Sequence, residues 1–292
     1  MIEVRYKARL GNNLFQYCLG RILAEELGFA LKAVPIPGFP NTAQRVNGAA
    51  YEGPREVFKG PHLIPLETIL ADRSPRHIIL DGWFQRYEYY RPRREKIQQW
   101  LRFGPAIRVP EARPDIVVNV RRTDYVRLGW ALPFSYYQEA IETVLPEGGE
   151  VSIVTDDRRD PFFRKFARWK PSFFSGTAPE QLLFMAKARR LVMSQSTFSW
   201  WPTFLGDVQQ VICPIPGFGN WFPTSEDLVL KDTNLIERDR FICIHCPDPY
   251  RPTKLEASYQ FMRRLMRRRV IQTTIKNANS WLNSDNVKHM TW

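Results

Sequence analysis

The feature that most constrains the fold is a regular alternation of short apolar runs and helical patterns after Asp115. Four runs have the composition of buried strands: IVVNV, VSIV, LVMS and QQVICP. Helical patterns separate them, in FSYYQEAIETVL, PFFRKFARW, PEQLLFMAKARR and TFSWWPTFLG. Because parallel strands need a crossover connection, which is usually a helix, this alternation predicts βαβ units, a parallel sheet and an α/β fold.

The N-terminus is predicted to form a strand, a tight turn and a helix. Apolar and charged residues alternate over Ile2–Tyr6, as in a half-buried strand, and a helical apolar face over Leu14–Leu27 is followed by Gly28, a natural C-cap. Gly11 and Asn12 lie at the predicted turn between them. In open α/β proteins such a junction lies at the carboxyl edge of the sheet, where ligands bind.

Composition divides the chain into three predicted parts. Residues 1–112 mix short strands with loops rich in Pro and Gly, and the segment FGPAIRVPEARPD has the composition of a linker. Residues 113–238 carry most of the alternating pattern and are predicted to form a Rossmann-like domain. Residues 239–292 are predicted to be a basic tail with one helix.

The helix of the tail has two possible positions. An apolar stripe from Leu255 to Val270 runs beside five arginines between Arg263 and Arg269. A basic amphipathic helix can lie on an anionic membrane surface. The alternative is a helix that packs its stripe against the N-terminal domain and leaves the arginines in water. The sequence leaves both open.

Charge and composition narrow the class of protein. The 292 residues carry a formal net charge of +12, which favours anionic partners such as membrane surfaces or phosphorylated small molecules. There is no apolar run of about 18 residues and no signal peptide, so we expect a cytoplasmic protein, peripheral at the inner face of the membrane if the tail binds lipid. The basic residues are scattered and form no nucleic-acid-binding motif, so no nucleic-acid partner is expected. The lone CIHC pair predicts no metal site.

Two polar clusters follow predicted strands. The first, NVRRTDY, contains Arg121, Arg122 and Asp124, and arginine forks suit phosphate oxygens. Its alternative is an Arg–Asp ion pair that closes the sheet edge. The second contains Asp156 and Asp157, which could hold ribose hydroxyls or a base edge, or cap the following helix.

A third cluster, SQSTFSWW, lies where a strand turns into a helix N-terminus. Ser196, Thr197 and Ser199 offer hydroxyls beside free backbone N–H groups, which together suit an anion. Helix capping is the alternative, but a cap needs only one hydroxyl. Trp200 and Trp201 are predicted to be core residues rather than a ligand platform. The three clusters together describe a pocket for a nucleoside diphosphate.

Five stretches, in chain order, resemble the α-1,2-fucosyltransferases that use GDP-fucose. KARLGNNLFQYCLG is similar to the family's GGLGNQLFQYA, and DGWFQRYEYY is similar to DGYFQSEKYF. NVRRTDYV is similar to HVRRGDYV, TDD to SDD, and QSTFSWWPTFL to NSTFSWWGAWL. The resemblance covers roughly residues 1–235.

The resemblance implies a GT-B fold, in which two Rossmann-like domains face each other across a cleft that holds GDP-fucose. It implies an inverting, metal-independent transfer without a cofactor. The acceptor would be a galactose-containing oligosaccharide or glycolipid on the side of residues 1–112. The chain contains no D-x-D tripeptide, which agrees with a metal-free reaction. Side chains and helix dipoles must then neutralise the leaving diphosphate.

The resemblance also implies roles for single residues. Arg121 is the expected diphosphate clamp, and Arg122 a structural or donor-side partner. Asp124 is the candidate base. Its alternative role is to orient the arginines, because two adjacent arginines lower the pKa of a carboxyl and make it a weaker base. The remaining donor-side contacts are expected from Gly11 and Asn12 at the sugar or acceptor, Asn119 at the donor, Asp156 or Asp157 at the nucleoside, and Ser196, Thr197 and Ser199 at the phosphates.

The chain departs from the family at three motif positions that matter. Asn119 replaces a histidine, and asparagine can hydrogen-bond but cannot titrate. Thr123 replaces a glycine, and this exchange suits the turn only if the turn does not need a positive φ. Ala8 replaces the first glycine of the opening motif. α-1,6-Fucosyltransferases carry a similar HxRRTD run, so the linkage stays open. A non-catalytic GDP-sugar- or glycan-binding protein of the same fold, suggested by Asn119, is the second hypothesis.

Overall fold

The computed structural model describes residues 1–51, 53–60, 63–216 and 240–266. The strands are β1 (Ile2–Val4), β2 (Leu31–Lys32), β3 (Arg55–Lys59), β4 (His77–Asp81), β5 (Ile116–Val120), β6 (Val151–Thr155), β7 (Ser172–Phe174), β8 (Arg190–Val192), β9 (Gln210–Pro216) and β10 (Phe241–Cys246). The α-helices are α1 (Leu10–Leu27), α2 (Leu66–Ala71), α3 (Tyr87–Tyr90), α4 (Arg94–Trp100), α5 (Thr123–Leu128), α6 (Phe134–Val144), α7 (Ala178–Ala186), α8 (Thr197–Leu205) and α9 (residues 254–266). Over these described ranges, no helix combines the length and the apolar character needed to span a membrane.

The strands form two parallel sheets. The first has the order β2-β1-β4-β3 and the second the order β10-β9-β8-β5-β6-β7. The four strands predicted after Asp115 are β5, β6, β8 and β9, and the predicted α/β fold is confirmed. Two separate parallel sheets are what the resemblance to GT-B enzymes predicts. Because the strands of a sheet all run in one direction, the segments that follow them emerge at one edge.

Helix α1 begins earlier than its apolar pattern predicts. It ends at Gly28, whose φ of 69° fits the predicted C-cap. The prediction of a turn at Gly11 and Asn12 is wrong, because both residues lie in the first turn of α1. The chain turns before the helix, at Ala8, which has a φ of 62°. Alanine therefore adopts the left-handed conformation at the position where the resembling family has glycine.

One aromatic core joins the two sheets where α1 meets α8. The Trp201 Nε1–H donates a hydrogen bond of 2.7 Å to the carbonyl of Gly11. A Cβ on Gly11 would lie 2.7 Å from the backbone nitrogen of Phe198, so the glycine permits this close approach. The ring of Phe15 lies 4.7 Å from the rings of Trp200 and Trp201. Both tryptophans are buried core residues, as predicted.

The contacts divide the chain into two compact units. The first, Met1–Asp157 with Arg168–Tyr250, contains both sheets, and the second, Arg158–Ala167 with Arg251–Trp292, contains α9. The predicted domain boundaries at 112 and 238 stay predictions. Phe241–Cys246, which composition assigned to the tail, is the edge strand β10 of the second sheet.

Two helices differ in detail from their predicted form. The segment Pro161–Trp169 is a 3-10 helix. Helix α7 begins one residue before Pro179, because Thr177 and Glu180 form a capping box. In this box the Thr177 N–H donates a hydrogen bond of 2.7 Å to the Glu180 carboxylate. The box fixes the start of α7 beside the cavity described next.

Candidate active site

A cavity of ≈ 580 Å³ opens at the carboxyl ends of strands from both sheets. Its volume lies in the usual range for small-molecule sites. Seven of the predicted site residues line it: Gly11, Asn12, Arg121, Asp124, Asp156, Ser196 and Thr197. Four predicted residues are not among the lining residues: Asn119, Arg122, Asp157 and Ser199.

The Arg121 guanidinium is held between two carboxylates at the cavity wall. Its Nη2 lies 2.7 Å from Asp124 Oδ1, and its Nη1 lies 3.2 Å from Asp156 Oδ2. Its Cζ also lies 5.0 Å from the centre of the Tyr125 ring. The Arg–Asp ion pair left as an alternative is therefore present, and it orients a cation that lines the cavity. A guanidinium fixed in this way is suited to bidentate phosphate contacts.

Asp124 is ionised at neutral pH. Burial by itself would raise its pKa, but the charge of Arg121, a hydrogen bond from Thr123 and the charge of Arg9 hold the pKa below its ordinary value. The Thr123 hydroxyl lies 2.9 Å from Asp124 Oδ1, and Arg9 Nη2 lies 3.7 Å from Asp124 Oδ2. A carboxylate with a lowered pKa is a weak base, so this environment suits an orienting role.

Asp156 supports the start of α5. Its Oδ1 accepts a hydrogen bond of 2.8 Å from the Arg122 N–H, and its carboxylate shares the Thr123 hydroxyl with Asp124 at hydrogen-bond distance. Thr123 is the first residue of α5 and has no positive φ, so the turn does not need the glycine of the resembling family. Asp156 thus lines the cavity and binds its neighbours, whereas Asp157 is buried away from it.

The N-terminus of α8 forms another wall of the cavity. Ser196 is the N-cap, and its Oγ accepts a hydrogen bond of 3.2 Å from the Phe198 N–H. Ser199, predicted as a phosphate contact, is instead fully buried within hydrogen-bond distance of the carbonyls of Ser194 and Ser196. Its place inside the first turn of α8 turns its hydroxyl toward the backbone. This cluster therefore both caps α8 and lines the cavity. Ser196 and Thr197 are its residues at the cavity.

Asn12 joins three segments at the cavity. Its Oδ1 accepts hydrogen bonds from Thr197 Oγ1 at 3.0 Å and from Gln85 Nε2 at 2.7 Å. Thr197 begins α8, and Gln85 lies in the segment after β4. The structure therefore places the predicted pair Gly11 and Asn12 at the cavity, where Asn12 connects the two halves of the first unit.

Asn119 and Arg122 have interior partners. The Asn119 side chain donates to the Val154 carbonyl at 3.3 Å and accepts from the Ser194 hydroxyl at 2.5 Å. The Arg122 guanidinium donates to the Tyr250 hydroxyl at 2.7 Å and packs over that ring. Arg122 thus has a structural partner, and a donor-side role for it stays a prediction. Asn119, which stands where the resembling family has a histidine, therefore lies in the interior of the second sheet and not at the cavity wall.

The sequence patterns missed several residues that line the cavity. Arg9 brings a second cation to the cavity, at a position where the resembling family has glycine. Trp83 and Trp130 contribute aromatic surface. Tyr125 also lines the cavity, and burial raises its pKa to about 12, so its phenol is neutral at pH 7. Arg9 and Trp83 lie inside the motifs quoted above, whereas nothing near Trp130 in the sequence distinguishes it from a core residue.

The two thiols of the CIHC segment do not lie close enough together to share a ligand. Cys243 and Cys246 are three residues apart in β10, so their side chains point to opposite faces of the sheet. Cys243 Sγ instead lies 3.0 Å from Cys213 Sγ on β9. In the part of the chain that the structure describes, no three His, Cys, Asp or Glu side chains are grouped so that they could hold a metal ion.

Comparisons with known proteins give little further information. No protein-family model matches the chain, and no curated protein matches it. One similar solved structure is a crystal structure of NodZ α-1,6-fucosyltransferase soaked with GDP-fucose. It shares 15% sequence identity at a TM-score of 0.46, over 72% of this chain and 93% of that chain.

Proposed function

We propose that this chain is a fucosyltransferase that uses GDP-fucose as its donor. The observation that carries the proposal is the position of Arg121, which two carboxylates hold at the wall of a cavity that also contains the N-terminus of α8. A fixed guanidinium and a helix N-terminus both suit phosphate oxygens. The five stretches that resemble GDP-fucose-dependent enzymes supply these same residues, which supports the choice of donor.

In the proposed reaction, an acceptor hydroxyl attacks the anomeric carbon of fucose from the side opposite the diphosphate. The bond from that carbon to the phosphate oxygen breaks, the configuration inverts, and GDP leaves with the bonding electron pair. Arg121 and the dipole at the N-terminus of α8 stabilise the negative charge that develops on the diphosphate. We propose that these groups act in place of a divalent cation and that no cofactor takes part. The hydroxyl proton passes to water or to a carboxylate.

The donor assignment can be tested by GDP release in a buffer that contains EDTA. GDP-fucose, GDP-mannose and UDP-galactose are offered separately with a panel of galactosides. We expect nucleotide release from GDP-fucose alone, dependent on an acceptor. Release from another donor would contradict the assignment, and GDP binding without release from any donor would favour the non-catalytic hypothesis. The observation behind that hypothesis was Asn119, which has interior partners.

For the acceptor, we propose a galactose-containing oligosaccharide or glycolipid and an α-1,2 linkage. The order and content of the five motifs support this assignment. Trp83 and Trp130 at the cavity offer flat apolar surfaces of the kind that line ligand sites. An α-1,6-like linkage is the alternative, and the position of the new bond in the product distinguishes the two.

We propose that Asp124 positions Arg121 and is not the base. Asp124→Asn is then expected to keep its transfer rate within about tenfold of the unaltered chain, whereas Asp124→Ala loses about 100-fold. The amide keeps an oxygen that accepts hydrogen bonds from Arg121 and Thr123, and alanine does not. The rate of GDP release from GDP-fucose with acceptor measures both variants.

The pH dependence provides a second readout for Asp124. Its lowered pKa keeps the carboxyl ionised down to the ordinary Asp range, so its protonation should not lower the rate above about pH 5. Equal losses in Asp124→Asn and Asp124→Ala would instead identify the ionised carboxylate as the base.

A further inference from the structure

Helix α9 presents its apolar face to solvent. Five of the nine exposed large apolar side chains among the described residues belong to this one helix: Leu255, Phe261, Met262, Leu265 and Met266. Phe261 and Met266 are each 60% exposed. At 100° per residue, the five positions fall on one side of the helix, within an arc of about 140°. An exposed patch of this kind marks an interaction surface.

The opposite face of α9 is fixed by polar contacts inside the second unit. Glu256 is 1% exposed, and its carboxylate lies 2.9 Å from Lys165 Nζ. The Gln260 side chain donates a hydrogen bond of 2.6 Å to Asp160. A capping box between Thr253 and Glu256 starts the helix. The usual arrangement of an amphipathic helix is therefore reversed within residues 1–51, 53–60, 63–216 and 240–266: other residues bind its polar face, and its apolar side chains are 37–60% exposed.

Cations border the apolar face. Lys254 and Arg264 are exposed, and Arg263 is next to Arg264 in the helix. The sequence continues with Arg267, Arg268 and Arg269, which lie outside the described residues. No acidic residue lies between 257 and 269. An apolar stripe bordered by cations is complementary to a surface with an acyl interior and anionic headgroups.

We propose that α9 binds the surface of an anionic lipid membrane. The five apolar side chains enter the boundary between headgroups and acyl chains, and Lys254 and Arg264 lie among the lipid phosphates. The polar contacts to Lys165 and Asp160 hold the helix in this orientation before it meets the lipid. The proposal is independent of the proposed transfer reaction, since none of its residues lines the cavity.

Sedimentation of the full chain with lipid vesicles tests the proposal. We expect binding to vesicles of equal parts phosphatidylcholine and phosphatidylglycerol, and little binding to phosphatidylcholine alone. The double variant Phe261→Ser/Met266→Ser should lower the partition coefficient at least about tenfold, because it removes two apolar side chains from the bound face. Arg264→Gln should lower the partition coefficient about fivefold. Added salt should lower the partition coefficient of the unaltered chain on anionic vesicles as well.

A matched control carries the same chemical change elsewhere on the surface. Val34→Ser/Leu63→Ser removes two exposed apolar side chains far from α9 in sequence and should leave vesicle binding unchanged. Unchanged GDP release and thermal midpoint in every variant show that the fold and the transfer site are intact. The proposal is overturned if the unaltered chain binds neither kind of vesicle. It is also overturned if Phe261→Ser/Met266→Ser leaves lipid binding intact and instead changes the oligomeric mass or RNA retention.

Discussion

Replacing Arg121 by alanine is expected to lower kcat/KM for fucose transfer by about 10²–10³-fold, the range typical for loss of a group that stabilises transition-state charge. The guanidinium is already fixed by Asp124 and Asp156, so little reorganisation is needed when negative charge develops on the diphosphate. Removing it also leaves these two carboxylates facing the cavity where the phosphates are proposed to bind, which adds repulsion to the loss of attraction.

Two further variants make the Arg121 result specific. Arg121→Lys keeps the charge but not the planar fork, and we expect it to recover only part of the lost rate. Arg127→Ala removes an exposed arginine from the same helix α5 and should leave the rate unchanged. Rates are measured as GDP release, with GDP binding measured in parallel. An Arg121→Ala variant as fast as Arg127→Ala would refute the clamp.

Gly11→Ala is expected to lower the free energy of unfolding by about 1–3 kcal/mol, the usual cost of overpacking. The added Cβ would lie 2.7 Å from Phe198 N, 2.8 Å from Thr197 Oγ1 and 2.9 Å from the Thr197 carbonyl carbon. Two of these atoms are backbone, so a simple side-chain rotation cannot relieve the contact. The start of α8 must move away from α1, which also strains the hydrogen bond from Trp201 to the Gly11 carbonyl.

Urea unfolding followed by tryptophan fluorescence measures this change. Gly104→Ala is the matched control. Its Cβ would lie 3.2 Å from the Pro40 side chain and 3.6 Å from the Gly38 carbonyl oxygen, so the cost should be smaller. Since α8 also forms a wall of the cavity, Gly11→Ala should weaken GDP binding and Gly104→Ala should not. An unchanged unfolding free energy in Gly11→Ala would mean that the approach of α1 to α8 is looser than described.

Four of the six strands in the second sheet were predictable because their signal is local. IVVNV, VSIV, LVMS and QQVICP each carry a run of buried apolar residues, and turn residues bound them. The polar clusters after these strands were predictable for the same reason, since the carboxyl ends of parallel strands share an edge. Arg121, Asp124 and Asp156 therefore meet where the pattern indicates.

The remaining features depend on contacts between distant parts of the chain. Gly11 was interpreted as a turn residue because no local pattern reveals that α8, nearly two hundred residues later, packs against it. Whether the hydroxyl of Ser199 faces the cavity or the backbone depends on the first turn of α8, and the motif alone does not specify it. The apolar stripe of α9 has the usual helical spacing, but Lys165 and Asp160 decide which face points outward.

The contact of α1 with α8 also determines when the cavity acquires its shape. Gln85 and Thr197 already donate hydrogen bonds to Asn12, and the segments of these three residues meet in a common aromatic core. The conformational entropy of bringing the two halves together is therefore lost during folding, before any donor arrives. A ligand that enters a preformed site loses less of its interaction energy to ordering the protein. The cavity therefore has its shape before the ligand binds, because packing of the aromatic core during folding offsets the entropy lost in forming it.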